Sequence, residues 1–114
     1  MDVQKTIEQA PGKMARLAQQ AEDERIIYQR TKEEVKRSET RIYLSIKAED
    51  TGKTVKELDA EVTQNAEVYS GRLDLIDQEG KYRKIEAEFN SWGEALNAAK
   101  MLAKMKMAEI KGGL

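Results

Sequence analysis

The stretch Tyr82–Ala103, YRKIEAEFNSWGEALNAAKMLA, decides the fold. Its apolar residues Tyr82, Ile85, Phe89, Trp92, Leu96, Ala99 and Ala103 are separated by alternating steps of three and four. That period is the heptad seam of a helix packed lengthwise against other helices. The seam holds the only Trp and the only Phe of the 114 residues, so it is the stripe the rest of the chain must cover. With Leu75 before it and Ile110 after it, the pattern predicts a long helix over about 72–111.

Composition agrees with that reading. Charged residues make up 36% and aromatics 5%, with a single Pro, a profile of long helices and coiled coils rather than of a mixed core. The sustained periodicity separates it from an equally polar disordered chain. Without Cys there is no disulfide, thiolate metal site or thiol nucleophile. Without His the commonest general base and zinc ligand are gone as well. No Gly-rich phosphate loop or nucleophile elbow is present, and the paired carboxylates Glu33-Glu34, Glu57/Asp59/Glu61 and Glu86/Glu88 read as solvated helix faces. The expectation is a protein that is not an enzyme and uses no metal or cofactor. No apolar run approaches the roughly 18 residues of a membrane span, and the first residues lack an apolar signal core. A soluble cytoplasmic protein with no membrane partner follows as an expectation.

Upstream, residues 1–10 show no strong pattern and read as a flexible tail, and Pro11 suits a first helical turn. From there to Asp50 neither Pro nor, after Gly12, Gly interrupts. Met14, Leu17, Ala21, Tyr28, Val35, Ile42 and Ile46 make one stripe, thinned by Glu24, Thr31 and Ser38. A helix over about 12–49 would be roughly 57 Å long, against a radius of gyration of about 13 Å for a compact domain of this size, so an elongated molecule is expected. Asp50-Thr51-Gly52-Lys53 is a stop, with Gly52 expected in a left-handed conformation. Thr54 and Glu57 form a capping box opening a short helix over about 55–68, with Val55, Leu58, Val62 and Ala66 inward. A kink or turn is placed near Gly71, and Gly112-Gly113 closes the last helix. The expected architecture is thus all-α: one domain of two long antiparallel helices joined by a loop and a short helix.

Two helices with narrow stripes leave apolar surface uncovered, which several copies together would bury. The expectation is a homo-oligomer assembled through Tyr82, Ile85, Phe89, Trp92, Leu96, Ala99, Leu102 and Met105. Met101, Met105 and Met107 give the last helix an adaptable apolar surface, for which filling gaps in a core is the simpler use.

Charge is unevenly spread behind a net value of −1: residues 30–56 carry eight basic and five acidic side chains, residues 57–90 four and nine. Around the end of the first helix Lys36, Arg37, Arg41, Lys47, Lys53 and Lys56 accompany Tyr43. Cations along phosphates plus an aromatic face for stacking are what single-stranded nucleic acid requires. The same residues also fit the solvated side of an amphipathic helix, paired with Glu33, Glu34 and Glu39 at helical spacing.

The order of parts resembles the phage recombination-mediator family typified by UvsY. The matching pieces are a charged helix ending in Leu44-Ser45-Ile46-Lys47-Ala48, a Gly-containing break, an acidic helical stretch, Phe89-Asn90-Ser91-Trp92-Gly93, and the apolar–basic helix Ala95–Ile110. They span roughly residues 25–110. The resemblance implies a small, helical, ring-forming protein that binds single-stranded DNA and helps to load a recombinase, with a recombinase and a single-strand-binding protein as partners. For a phage-encoded protein it implies the bacterial host cytoplasm. By position it puts Lys47, with Arg41 and Tyr43, in the DNA-binding motif, and Trp92, Leu96 and Leu102 in the assembly helix. The chain departs from the family in carrying Ala48-Glu49-Asp50 where a further basic residue and aromatics are expected. The competing expectation is a helical adaptor or inhibitor that binds a protein, not nucleic acid, through its acidic 57–90 face or its last helix.

Overall fold

A computed structural model describes residues 2–112 as three helices, with no strand among them: α1 Val3–Glu49, α2 Val55–Gln64 and α3 Ala66–Gly112. The all-α expectation of two long helices joined by a short one is met. Gly113, expected to help close α3, lies outside the described residues.

Three boundaries differ from the sequence reading. Helix α1 begins at Val3, so the expected tail is helical from that residue and Pro11 lies inside the helix. Asp2 accounts for the early start: its side-chain Oδ1 accepts the Lys5 N–H at 3.0 Å, and its carbonyl accepts the Thr6 N–H and hydroxyl. Val3, Ile7 and Ala10 then extend the heptad of Met14 and Leu17 upstream, and Ala10 is fully buried. One backbone donor is missing at Pro11, and the apolar seam carries the helix through.

The second difference is the break before α3, which falls at Asn65 rather than near Gly71. Asn65 is extended (φ −63°, ψ 131°) and its own N–H returns to the Val62 carbonyl. Its side-chain Oδ1 accepts from the Glu67 N–H at 2.9 Å and the Val68 N–H at 3.3 Å, which caps α3. Gly71 therefore sits in helical conformation in the second turn of α3.

The third concerns Gly52, which has no positive φ. Asp50 Oδ1 accepts the Gly52 N–H at 3.0 Å, so an aspartate turn ends α1 without a left-handed residue. The Thr54 cap is present, its hydroxyl accepting the Glu57 N–H at 3.2 Å. Of the four residues expected inward on the short helix, Leu58 and Val62 are buried and Val55 is exposed, while Ala66 is exposed and belongs to α3.

The chain divides into two compact units, Met1–Asp23 with Arg83–Leu114, and Glu24–Tyr82. In the first, Asp2, Val3 and Gln4 share a groove with Ala103, Lys106 and Met107, and Lys13, Arg16, Leu17 and Gln20 share another with Glu88 and Trp92. The helices there run antiparallel. Lys13 Nζ stands 4.4 Å from the centre of the Trp92 ring, a cation–π contact. Gly93 admits Met14, whose methyl would touch an added Cβ at 3.4 Å. Ile85, Phe89, Trp92 and Leu96 are half-buried there and Ala99 fully buried, and Tyr82, the last residue of the second unit, is half-buried as well.

In the second unit all three helices meet. Ile42 of α1, Val62 of α2 and Val68 of α3 form the core, with Tyr43 and Ile46 packed against it. Val35 lies against Gly71 where α1 and α3 approach closely. Around the core Arg72 donates to Glu39 at 2.9 Å and to the Thr63 hydroxyl at 3.4 Å, tying the three helices together.

Candidate nucleic-acid interface

The candidate site occupies the last third of α1 and the turn after it, all within the second unit. A helix advances 100° per residue, so Lys36, Tyr43 and Lys47, at intervals of seven and four, share one face. Arg37 and Arg41, one turn apart, lie on the adjoining face. The five candidates on α1 thus fall into two rows rather than one patch, and Lys53 lies in the turn after the helix.

Ion pairs divide them again. Arg41 Nη2 reaches both carboxylate oxygens of Glu67, at 2.6 and 2.5 Å, while Ser38 points its hydroxyl at the same carboxylate from 3.5 Å. Lys53 Nζ is bonded to Glu61, and this hydrogen bond holds the ammonium above the ordinary lysine value, so Lys53 stays charged throughout the neutral range. By contrast Lys36, Arg37 and Lys47 are exposed and form no ion pair among the described residues. The Glu39 expected to neutralise this face is engaged by Arg72 instead.

Tyr43 is not a free stacking platform. It packs against the core cluster and lines a shallow groove with Glu39, Thr40, Asp59, Val62, Thr63 and Arg72. A base stacking there would meet only the outward part of the ring. The sequence offered no signal for this, because Tyr43 becomes half-buried only once α2 folds back.

The residues expected to build an oligomer fall into two groups. Tyr82, Ile85, Phe89, Trp92, Leu96 and Ala99 line the chain's own seam, whereas Leu102 and Met105 are 43% and 55% exposed. Among the described residues no cluster of three or more His, Cys, Asp or Glu side chains could hold a metal, and no helix is long and apolar enough to cross a membrane. Compared with protein-family models, curated proteins and solved structures, the chain matches none.

Proposed function

We propose that the protein is a recombination accessory factor of the phage mediator type, which binds single-stranded DNA as a homo-oligomer and assists a recombinase. The observation that carries the reading is that Lys36, Arg37 and Lys47, on two adjoining exposed faces of α1, form no ion pair among the described residues, while neighbouring Arg41 and Lys53 are held by carboxylates. Uncommitted charges on a rigid helix can follow a phosphate backbone without first breaking internal pairs. The edge of Tyr43 supplies a limited apolar contact beside them. The resemblance of the chain's parts to the mediator family supplies the recombinase.

The test is oligonucleotide binding at two ionic strengths, with mass measured by light scattering. Binding of poly-dT at low salt and release at high salt is the expected result, because phosphate contacts release counterions. Lys36→Glu with Lys47→Glu should remove binding and leave the oligomer mass unchanged. A protein indifferent to the oligonucleotide overturns the reading and favours the protein-binding adaptor.

A further inference from the structure

The outward side of α3 carries two apolar stripes that the fold does not use. In the second unit they are Ala66, Tyr69, Leu73 and Ile76, spaced three, four and three; in the first they are Ala98, Met101, Met105 and Ala108, with the same spacing. All eight residues are exposed, Tyr69 at 60%, Ile76 at 63% and Met101 at 65%. Each stripe lies on the helix side away from the residues that face α1, namely Val68 and Gly71 for the first, Ala99 and Ala103 for the second. A helix segment apolar on two opposite sides is one that packs between two neighbours.

Their flanks carry opposite charge. Beside the first stripe stand the carboxylates Asp74 and Asp77, while Glu67 and Arg72 are already engaged within the fold by Arg41 and Glu39. Residues 98–111 contain Lys100, Lys104, Lys106 and Lys111 against Glu109 alone. Two copies of the first stripe, or two of the second, would bring like charges together. One of each brings opposite charges together around a matching apolar row, the arrangement by which flanking charges select partners in coiled coils.

We infer that the Tyr69–Leu73–Ile76 stripe of one copy pairs with the Met101–Met105 stripe of a second copy of this chain. The contact joins two different patches, so every copy offers one donor and one acceptor surface. The three seam residues Phe89, Trp92 and Leu96 take no part in it. The inference does not depend on nucleic acid, and its test uses none.

The experiment is sedimentation of the full-length chain alone and in mixtures, with helicity checked by circular dichroism. The wild type should self-associate, more weakly as salt is raised. Leu73→Lys spoils the acidic-flanked stripe, and Met101→Glu with Met105→Glu spoils the basic-flanked one. Each variant alone should lose at least tenfold in association while keeping its helix content. Mixed in equal amounts they should associate again, since each retains the stripe that the other lacks, and the mixture should contain one-to-one complexes. A monomeric wild type, a variant that still self-associates, or a mixture that stays apart overturns the pairing.

Discussion

An added Cβ at Gly71 would come within 3.1 Å of Val35 Cγ2. This approach sets the spacing of α1 and α3 in the second unit, and it decides the sign of a substitution that propensity alone would misjudge. Replacing a mid-helix Gly by Ala gains up to about 1 kcal/mol of helix propensity. Val35 is only 8% exposed and is stiff at its first side-chain torsion, so it cannot step aside cheaply. Overpacking of that kind costs about 1–3 kcal/mol. Gly71→Ala should therefore destabilise by about 1 kcal/mol, whereas Gly80→Ala, with open space around the new methyl, should stabilise by about 0.5–1 kcal/mol. Urea midpoints for the two variants check this. Equal stabilisation by both would mean that the helices are not in contact at Gly71.

Gln78 occupies the heptad position between Leu75 and Tyr82, and its Oε1 is buried with no hydrogen-bond partner among the described residues. A buried, unmet carbonyl oxygen costs about 1–3 kcal/mol, and Leu at that place adds apolar contact instead. Gln78→Leu should raise the urea midpoint by an amount worth about 1–2 kcal/mol at unchanged slope. An unchanged or lowered midpoint would show that the amide is satisfied in solution. Polar places in a seam serve to select one alignment of helices, so the more stable variant should also show more than one oligomeric species.

The parts of this fold that were legible in the sequence are those written in its period. Tyr82 to Ala103 and Met14 to Ile46 announce two long helices, and Thr54 with Glu57 marks the start of the short one. What remained hidden depends on which of two competing local signals wins. Gly71 read as the break, but the side-chain cap of Asn65 starts α3 six residues earlier, and Gly71 serves instead as the place where Val35 packs closely. Asp2 outweighed Pro11 for a similar reason: one capping residue and three apolar seam positions offset one missing donor. At the candidate site, charge placed the cations but could not show which of them carboxylates from α2 and α3 would hold. Glu61 and Glu67 reach Lys53 and Arg41 only in the folded chain.

That competition gives the next prediction. Asn65 accepts two amide protons at the start of α3, and loss of such a cap costs about 1 kcal/mol. Asn65→Ala should lower stability by that amount and speed hydrogen exchange at the Glu67 and Val68 amides more than at amides in the middle of α3. Uniform exchange across the helix would mean that the cap is not what starts it.

The Arg41–Glu67 pair yields a prediction that separates a structural charge from a binding one. Both side chains are more than half exposed, at 63% and 53%, so the pair contributes at most about 1 kcal/mol to stability after solvent screening. Glu67 also sits in the first turn of α3, where a carboxylate is favoured by the helix dipole by a few tenths of a kcal/mol. Glu67→Gln should thus lower stability by no more than about 1 kcal/mol while releasing the Arg41 guanidinium beside Arg37. If the exposed cations of α1 bind single-stranded DNA as proposed, the freed cation adds a phosphate contact. Affinity for poly-dT at low salt should then rise, and the slope of log affinity against log salt should steepen by about 0.7. Arg41→Gln supplies the control: it removes the same ion pair without providing a cation, so it should match the stability loss and leave the slope at its wild-type value. Identical binding by the two variants would place Arg41 outside the interface and confine the contact to Lys36, Arg37 and Lys47.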